Sequence, residues 1–189
     1  MIAFLLPIWA LLLAPGPSNS LVALSGLQVG FARSIRLLPA EVSAYLLTVV
    51  PLSLIGQAAL HAWPPGFVVL KLVASLWVLR LAVGHWLGVG QAMIARVSFQ
   101  QLFVTTLLNP KALIFGCVLL PQAGAIGLWN AIALFALSVV GVALIWIAGA
   151  SLVGSRAGDG TAPGGKTLRR LIAAWLAILS IGLAGSAFQ

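Results

Sequence analysis

Apolar residues fill this chain in six stretches of about 20, separated by short polar connections, and that pattern predicts six membrane-crossing helices. Their expected limits are Ile2–Leu24, Pro39–Leu60, Gly66–Leu87, Leu102–Leu120, Leu128–Val153 and Leu168–Phe188. Hydrocarbon offers backbone amides no partner, so each stretch must be helical, irregular only where it lines a cavity. Two stretches carry a break: Pro15-Gly16-Pro17 in the first and Asn109-Pro110-Lys111 in the fourth. Proline lacks an amide hydrogen and its ring clashes with the preceding turn, so both motifs should interrupt a helix. Pro51 and Gly56 are further bend points in the second.

The breaks stand at corresponding places in two halves, about residues 1–88 and 101–189, of a single transmembrane domain spanning 1–189. Three spans per half make the second half enter from the opposite side. The expected fold is therefore an all-α membrane protein, with six transmembrane helices arranged as two inverted three-helix repeats and helices one and four interrupted. Paired discontinuous helices are the best sequence pointer to a transporter's binding site near the bilayer midplane.

Composition agrees with a membrane setting. The chain is 62% hydrophobic and 6% charged, too little polar matter to cover a water-soluble fold. A net charge of +8 raises nucleic acid as a partner, but the basic residues are scattered singly between apolar runs, so no nucleic acid is expected. Arg33 and Arg36 lie in loop one, Arg96 in loop three, and Arg156 and Lys166 in loop five, with Arg169 and Arg170 just after. The connections around His61–Pro65 and Gln122–Gly127 hold no Lys or Arg. The positive-inside rule then makes loops one, three and five cytoplasmic and puts both termini outside. Trp63 and Trp129 fall at the expected outer boundary and Trp86 near the inner one. Met1 to Ala14 lacks a basic n-region, so the first stretch is expected to remain as a helix. Cys117 is the single cysteine, which excludes disulfides and thiolate clusters within one chain; in its apolar run it reads as a small buried hydrophobe.

Lys111 is the residue that most demands an explanation, because a charge at a helix centre costs about 2.5–3.5 kcal/mol on insertion scales. A half-helix starting near Asn109 would aim free amide hydrogens and a positive dipole end into a cavity, and Lys111 would add a full charge, making a carboxylate site. The competing account is a lysine snorkelling to the cytoplasmic interface. Around the first break, Gly16 permits close backbone approach, while Ser18 or Asn19 can cap the continuing helix or bind a polar ligand. A kink made only for packing is the alternative. Lys71 and Arg80 stand two and a half turns apart on the third span and so face opposite sides. Lys71 is equally readable as a site residue or a snorkelling one, and Arg80 as paired with backbone carbonyls or the inner interface.

Glu41 is a candidate ion carrier, since protonation removes the penalty of burying a carboxylate. Following Pro39, it also suits the first turn of helix two, where a negative charge favours the dipole. His61 and His85 sit at expected helix ends, with no carboxylate cluster to make a metal site, and no cofactor is implied. Gly160-Thr161-Ala162-Pro163-Gly164-Gly165-Lys166-Thr167 matches GxxxxGK[ST], but that loop works only after a buried strand in a nucleotide-binding domain. Here it joins two membrane helices and reads as a Gly-rich connection. No Ser/His/Asp, Cys/His or metal constellation supports an enzyme.

The run from Gln101 through Asn109-Pro110-Lys111 to Phe115, continuing to Leu120-Pro121-Gln122, closely resembles the fourth-helix signature of the LysE/RhtB amino-acid exporter family. Pro15-Gly16-Pro17 is similar to that family's first-helix motif, and Leu70-Lys71-Leu72 to its third helix. The resemblance implies an inner-membrane exporter of amino acids or related small metabolites, working by alternating access. It also implies coupling to a proton or other ion, and a possible homodimer; Gly141, Ala148, Gly182 and Ser186 are small residues that permit close helix contacts, within or between chains. It carries over Pro15, Gly16, Pro17, Asn109, Pro110 and Lys111 as site residues. The chain departs from the family pattern in having Ser18-Asn19 for two asparagines, Tyr45 near the usual second-helix acid, and Ala74-Ser75 for a glycine. A non-transporting scaffold or sensor subunit is the alternative that these changes motivate.

Overall fold

Pro17 opens a new helix instead of continuing the old one. In the computed structural model, which describes residues 2–62, 64–87, 96–156 and 163–185, α1 (Ile2–Leu13) ends at the Pro-Gly-Pro and α2 (Pro17–Val29) leaves it at 60°. A short helix, α3 (Phe31–Ser34), and one 3-10 turn (Ile35–Leu37) lead into α4 (Leu38–Ala62), followed by α5 (Pro64–Leu87). The second break separates α6 (Phe99–Leu107) from α7 (Lys111–Ile114), which runs on through a π turn (Phe115–Leu119) and a 3-10 segment (Leu120–Ile126), bent by 51°. The helices α8 (Leu128–Arg156) and α9 (Pro163–Gly185) complete the order, and every regular element among the described residues is helical.

Among these residues, two helices are long and apolar enough to cross a membrane, and up to four if each bent pair counts as one span. The apolar stretches Ser75–Gly84 of α5 and Ala173–Gly182 of α9 are shorter. The expectations for Trp63, for residues 157–162 of the Gly-rich connection and for Ser186 lie outside the described residues.

Several expected limits move. The first broken span continues to Val29, five residues past Leu24, although Ser25, Gly26 and Gln28 dilute its hydropathy. Gly26 is held by packing on α8, Ser25 by a hydrogen bond to Ser34 Oγ of α3 at 2.8 Å, and Gln28 is exposed. A Cβ at Gly26 would meet the Ile147 carbonyl oxygen at 2.7 Å, and one at Gly154 the Leu27 oxygen at 2.8 Å, so the two backbones touch through glycine. Gly182, one of the small residues expected at a helix contact, faces open space in the single chain, and Gly141 abuts the Trp9 ring at 3.5 Å. Each broken span ends on a glycine at φ 78°, Gly30 and Gly127, a left-handed conformation that stops a helix. Pro163 begins α9 five residues before Leu168, as suits a residue needing no amide partner in the first turn. Part of the GxxxxGKT stretch is therefore helix.

The packing is reciprocal. Both α1 and α2 lie on α8, while α6 and α7 lie on α4, and α5 and α9 pack along each other. α1 also touches the π turn and α2 touches α6, so the two bent spans meet antiparallel at their breaks. Two apolar clusters flank that meeting point. One joins Ile8 and Leu12 of α1 to Tyr45, Phe115 and Phe135, whose rings meet at 4.8 to 6.0 Å. The other joins Leu21 and Val22 of α2 to Leu102 of α6 and Ile147 of α8.

Candidate functional site

Breaking a helix exposes carbonyls on one side and amides on the other, and burial forbids leaving them bare. At the first break the carbonyls of Leu12 and Ala14 receive the Asn19 Nδ2, at 2.6 and 2.9 Å. Asn19 thus reaches back to the helix that has ended; it does not cap the one that begins. Gly16 holds the cap position of α2 with no side-chain hydrogen bond. At the second break Asn109 Oδ1 accepts the Lys111 amide at 3.1 Å, and the next two amides bond the Asn109 and Pro110 carbonyls. The expectation of free amide hydrogens aimed into a cavity is corrected: they are satisfied locally. Across from them, Thr48 Oγ1 of α4 donates to the Leu107 carbonyl at 3.4 Å.

Two bonds stitch the breaks together. Asn109 Nδ2 donates to Ser18 Oγ at 3.0 Å and to Tyr45 Oη at 3.0 Å. Lys111 extends across to the first break, where its ammonium donates to the Ala14 carbonyl. It therefore does not snorkel to an interface. Its chain lies against Gly16, where a Cβ would come within 2.9 Å of Cε. Ser18, Asn19 and Asn109 are all buried.

Glu41 stands where the dipole reading expects it, and its ion-carrying role belongs to the function proposed below. It stands in the first turn of α4, yet it is buried at 2% exposure and faces the breaks. Ser18 bonds its carboxyl, and Lys111 is close enough to act on it electrostatically. Its Oε2 has no hydrogen-bond partner, nor has the buried Thr106 hydroxyl of α6. The Glu41 carboxyl and the Lys111 amine thus sit in one interior, with Ser18 and Asn109 between them.

A small cavity of about 100 Å³ opens at this junction. Residues 15–17 and 109–111 line it, with Val78 of α5 as the remaining wall. The structure accordingly brings Pro15, Gly16, Pro17, Ser18, Asn19, Glu41, Asn109, Pro110 and Lys111 into one neighbourhood. Lys71 lies on α5 with its side chain outside the described residues, as do those of His61 and His85. Arg80 is exposed and stacks over the Trp77 ring at 5.0 Å. Among the described residues no cluster of three or more His, Cys, Asp or Glu is placed to hold a metal.

Tyr45, which the sequence marks only as standing near the family's usual second-helix acid, joins the site through Asn109, as Val78 does through the cavity. Tyr45 follows Glu41 by four positions, so the two share a helix face, and that spacing was the available signal. The molecule so defined is an all-helical protein with apolar helices suited to a membrane and a polar junction of two broken ones. No protein-family model, no curated protein and no solved structure matches the chain.

Proposed function

We propose that this chain is a secondary exporter of small zwitterionic metabolites, amino acids foremost, of the LysE/RhtB kind that its fourth-span motif resembles. The observation that carries the reading is the stitching of two antiparallel broken helices by Asn109–Ser18 and Lys111–Ala14 beside a cavity. A substrate carboxylate replaces the Ala14 carbonyl as partner of the Lys111 ammonium, while Glu41 faces the substrate ammonium or carries the coupling proton. A buried carboxyl with an unpartnered oxygen suits a group that exchanges its proton.

The reciprocal packing supports two inverted three-helix repeats. A two-fold axis in the membrane plane would turn the contact of α1 and α2 with α8 into that of α6 and α7 with α4. It would map the α5–α9 contact onto itself. Alternating access then consists of one half rocking on the other around the junction, in the inner membrane, with the Arg-bearing loops on the cytoplasmic side.

Counterflow of radiolabelled amino acids in proteoliposomes tests the reading. Lys111→Ala is expected to abolish flux while the protein still inserts and elutes as a single species. Undiminished flux in that variant would remove the site assignment. One observation favours the scaffold or sensor subunit as second reading: here the Lys111 ammonium is already taken by a backbone carbonyl. Absence of counterflow for every solute from well-inserted wild-type protein, with a partner subunit co-purifying, would select it.

A further inference from the structure

We infer that Val78 is the size gauge of this site, setting how long a substrate side chain the cavity admits. The inference rests on the carrier reading above and adds to it a residue outside both broken helices.

The cavity holds about 100 Å³, well under the roughly 300–1,000 Å³ typical of drug-sized ligand sites, so only a solute of a few heavy atoms fits. Most of its wall cannot give way. The three prolines have fixed rings, Gly16 has no side chain, and Asn109 is tied by three hydrogen bonds. Lys111 is the polar anchor. What remains is Val78, whose two methyls form the apolar wall that α5 contributes.

Val78 is also held in place. It is buried at 2% exposure and backed by Ala82 of its own helix and Leu176 of α9. Three residues earlier, the Ser75 carbonyl accepts Ser180 Oγ of α9 at 3.0 Å, in a buried bond. One residue earlier, Trp77 Nε1 donates to Thr105 Oγ1 of α6 at 3.0 Å. These bonds fix α5 on both sides, and a β-branched residue in a helix keeps essentially one rotamer. A longer substrate side chain therefore meets a rigid methyl face. α5 packs mainly on α9, so the wall is carried chiefly by that pair of helices and joined to the broken span through Trp77 and Thr105.

The test uses the full-length chain in proteoliposomes and counterflow of unbranched α-amino acids from glycine to norleucine. Val78→Ala is expected to raise the flux of the longer members relative to the shorter by about tenfold or more, the usual worth of a methylene in a fitted pocket. Val78→Ile should lower the longest accepted member by a similar factor, and Val78→Thr, matched in volume, should keep the wild-type ranking. A ranking unchanged within about twofold in both Ala and Ile variants, while Lys111→Ala abolishes flux, overturns the gauge and leaves the carrier standing. If wild-type protein moves none of these solutes, the carrier reading fails and the gauge with it. Should Val78→Ala not insert, the Ile variant decides the matter by the same ranking.

Discussion

The two breaks solve one problem with opposite chemistry. At Pro15-Gly16-Pro17 the chain offers acceptors and space: two carbonyls freed by the helix end and taken up by Asn19, a glycine with no side chain, and no capping hydroxyl for the helix that follows. At Asn109-Pro110-Lys111 it offers donors, and a side chain that caps its own half-helix. The second break therefore completes the first, through Asn109 to Ser18 and Lys111 to Ala14, while receiving only Thr48 from α4 in return. A pair of equivalent breaks could open and close independently. A donor break and an acceptor break are coupled, because separating them strips both.

The sharpest way to break that coupling is Asn109→Ala. It removes the bonds to Ser18 and Tyr45 and the cap on the Lys111 amide, leaving buried groups without partners at about 1–3 kcal/mol. A lower melting temperature in detergent is expected, clearly below that of Tyr45→Phe, which removes one of the three. Equal melting temperatures for the two variants would show that Asn109 is not the hub of the junction.

The break positions were legible because proline acts on its own helix, and local chemistry is what a linear sequence carries. Where the breaks would send their hydrogen bonds was not. Nothing near position 111 reveals that its ammonium will meet the carbonyl of residue 14, because that contact depends on how two distant spans cross. Asn19 shows the same limit: its type suits a cap for the helix that begins, but the carbonyls it serves lie before it in the chain. The end of α2 was misplaced for a related reason. Ser25, Gly26 and Gln28 look like an exit from hydrocarbon until Gly26 is seen against the Ile147 carbonyl. Val78 carried no signal at all, being one apolar residue in an apolar helix; only the cavity singles it out.

Two glycines sharpen the contrast between a junction that transmits and a contact that merely packs. A methyl at Gly26 would sit 2.7 Å from the Ile147 backbone oxygen, which cannot yield without shifting α8. Gly26→Ala should therefore lower stability by about 1–3 kcal/mol, with the ranking of transported solutes unchanged. At Gly16 the obstruction is the flexible end of Lys111, and φ −162° is extended backbone open to alanine. Gly16→Ala should change melting by less than Gly26→Ala does, yet reduce flux more, by displacing the ammonium. If stability and flux fall in proportion in both variants, the first break is a packing feature and not part of the site.

The smallest effect is expected from Tyr45→Phe, and it tests the least obvious member of the junction. The ring stays, with its edge contacts to Phe115 and Phe135 at 6.0 and 5.7 Å, so apolar packing is preserved. What is lost is one acceptor for Asn109 Nδ2, which keeps its second bond to Ser18. Hydrogen bonds between membrane helices average about 0.6 kcal/mol, so the melting temperature should scarcely move. Flux should respond more than stability if the hydroxyl orients Asn109 while Lys111 changes partner. A double-mutant cycle with Ser18→Ala separates the cases. Coupling between the two sites, read in the flux, places Tyr45 in the same unit as the donor break. Simple additivity would make it a core aromatic whose hydroxyl happens to lie nearby.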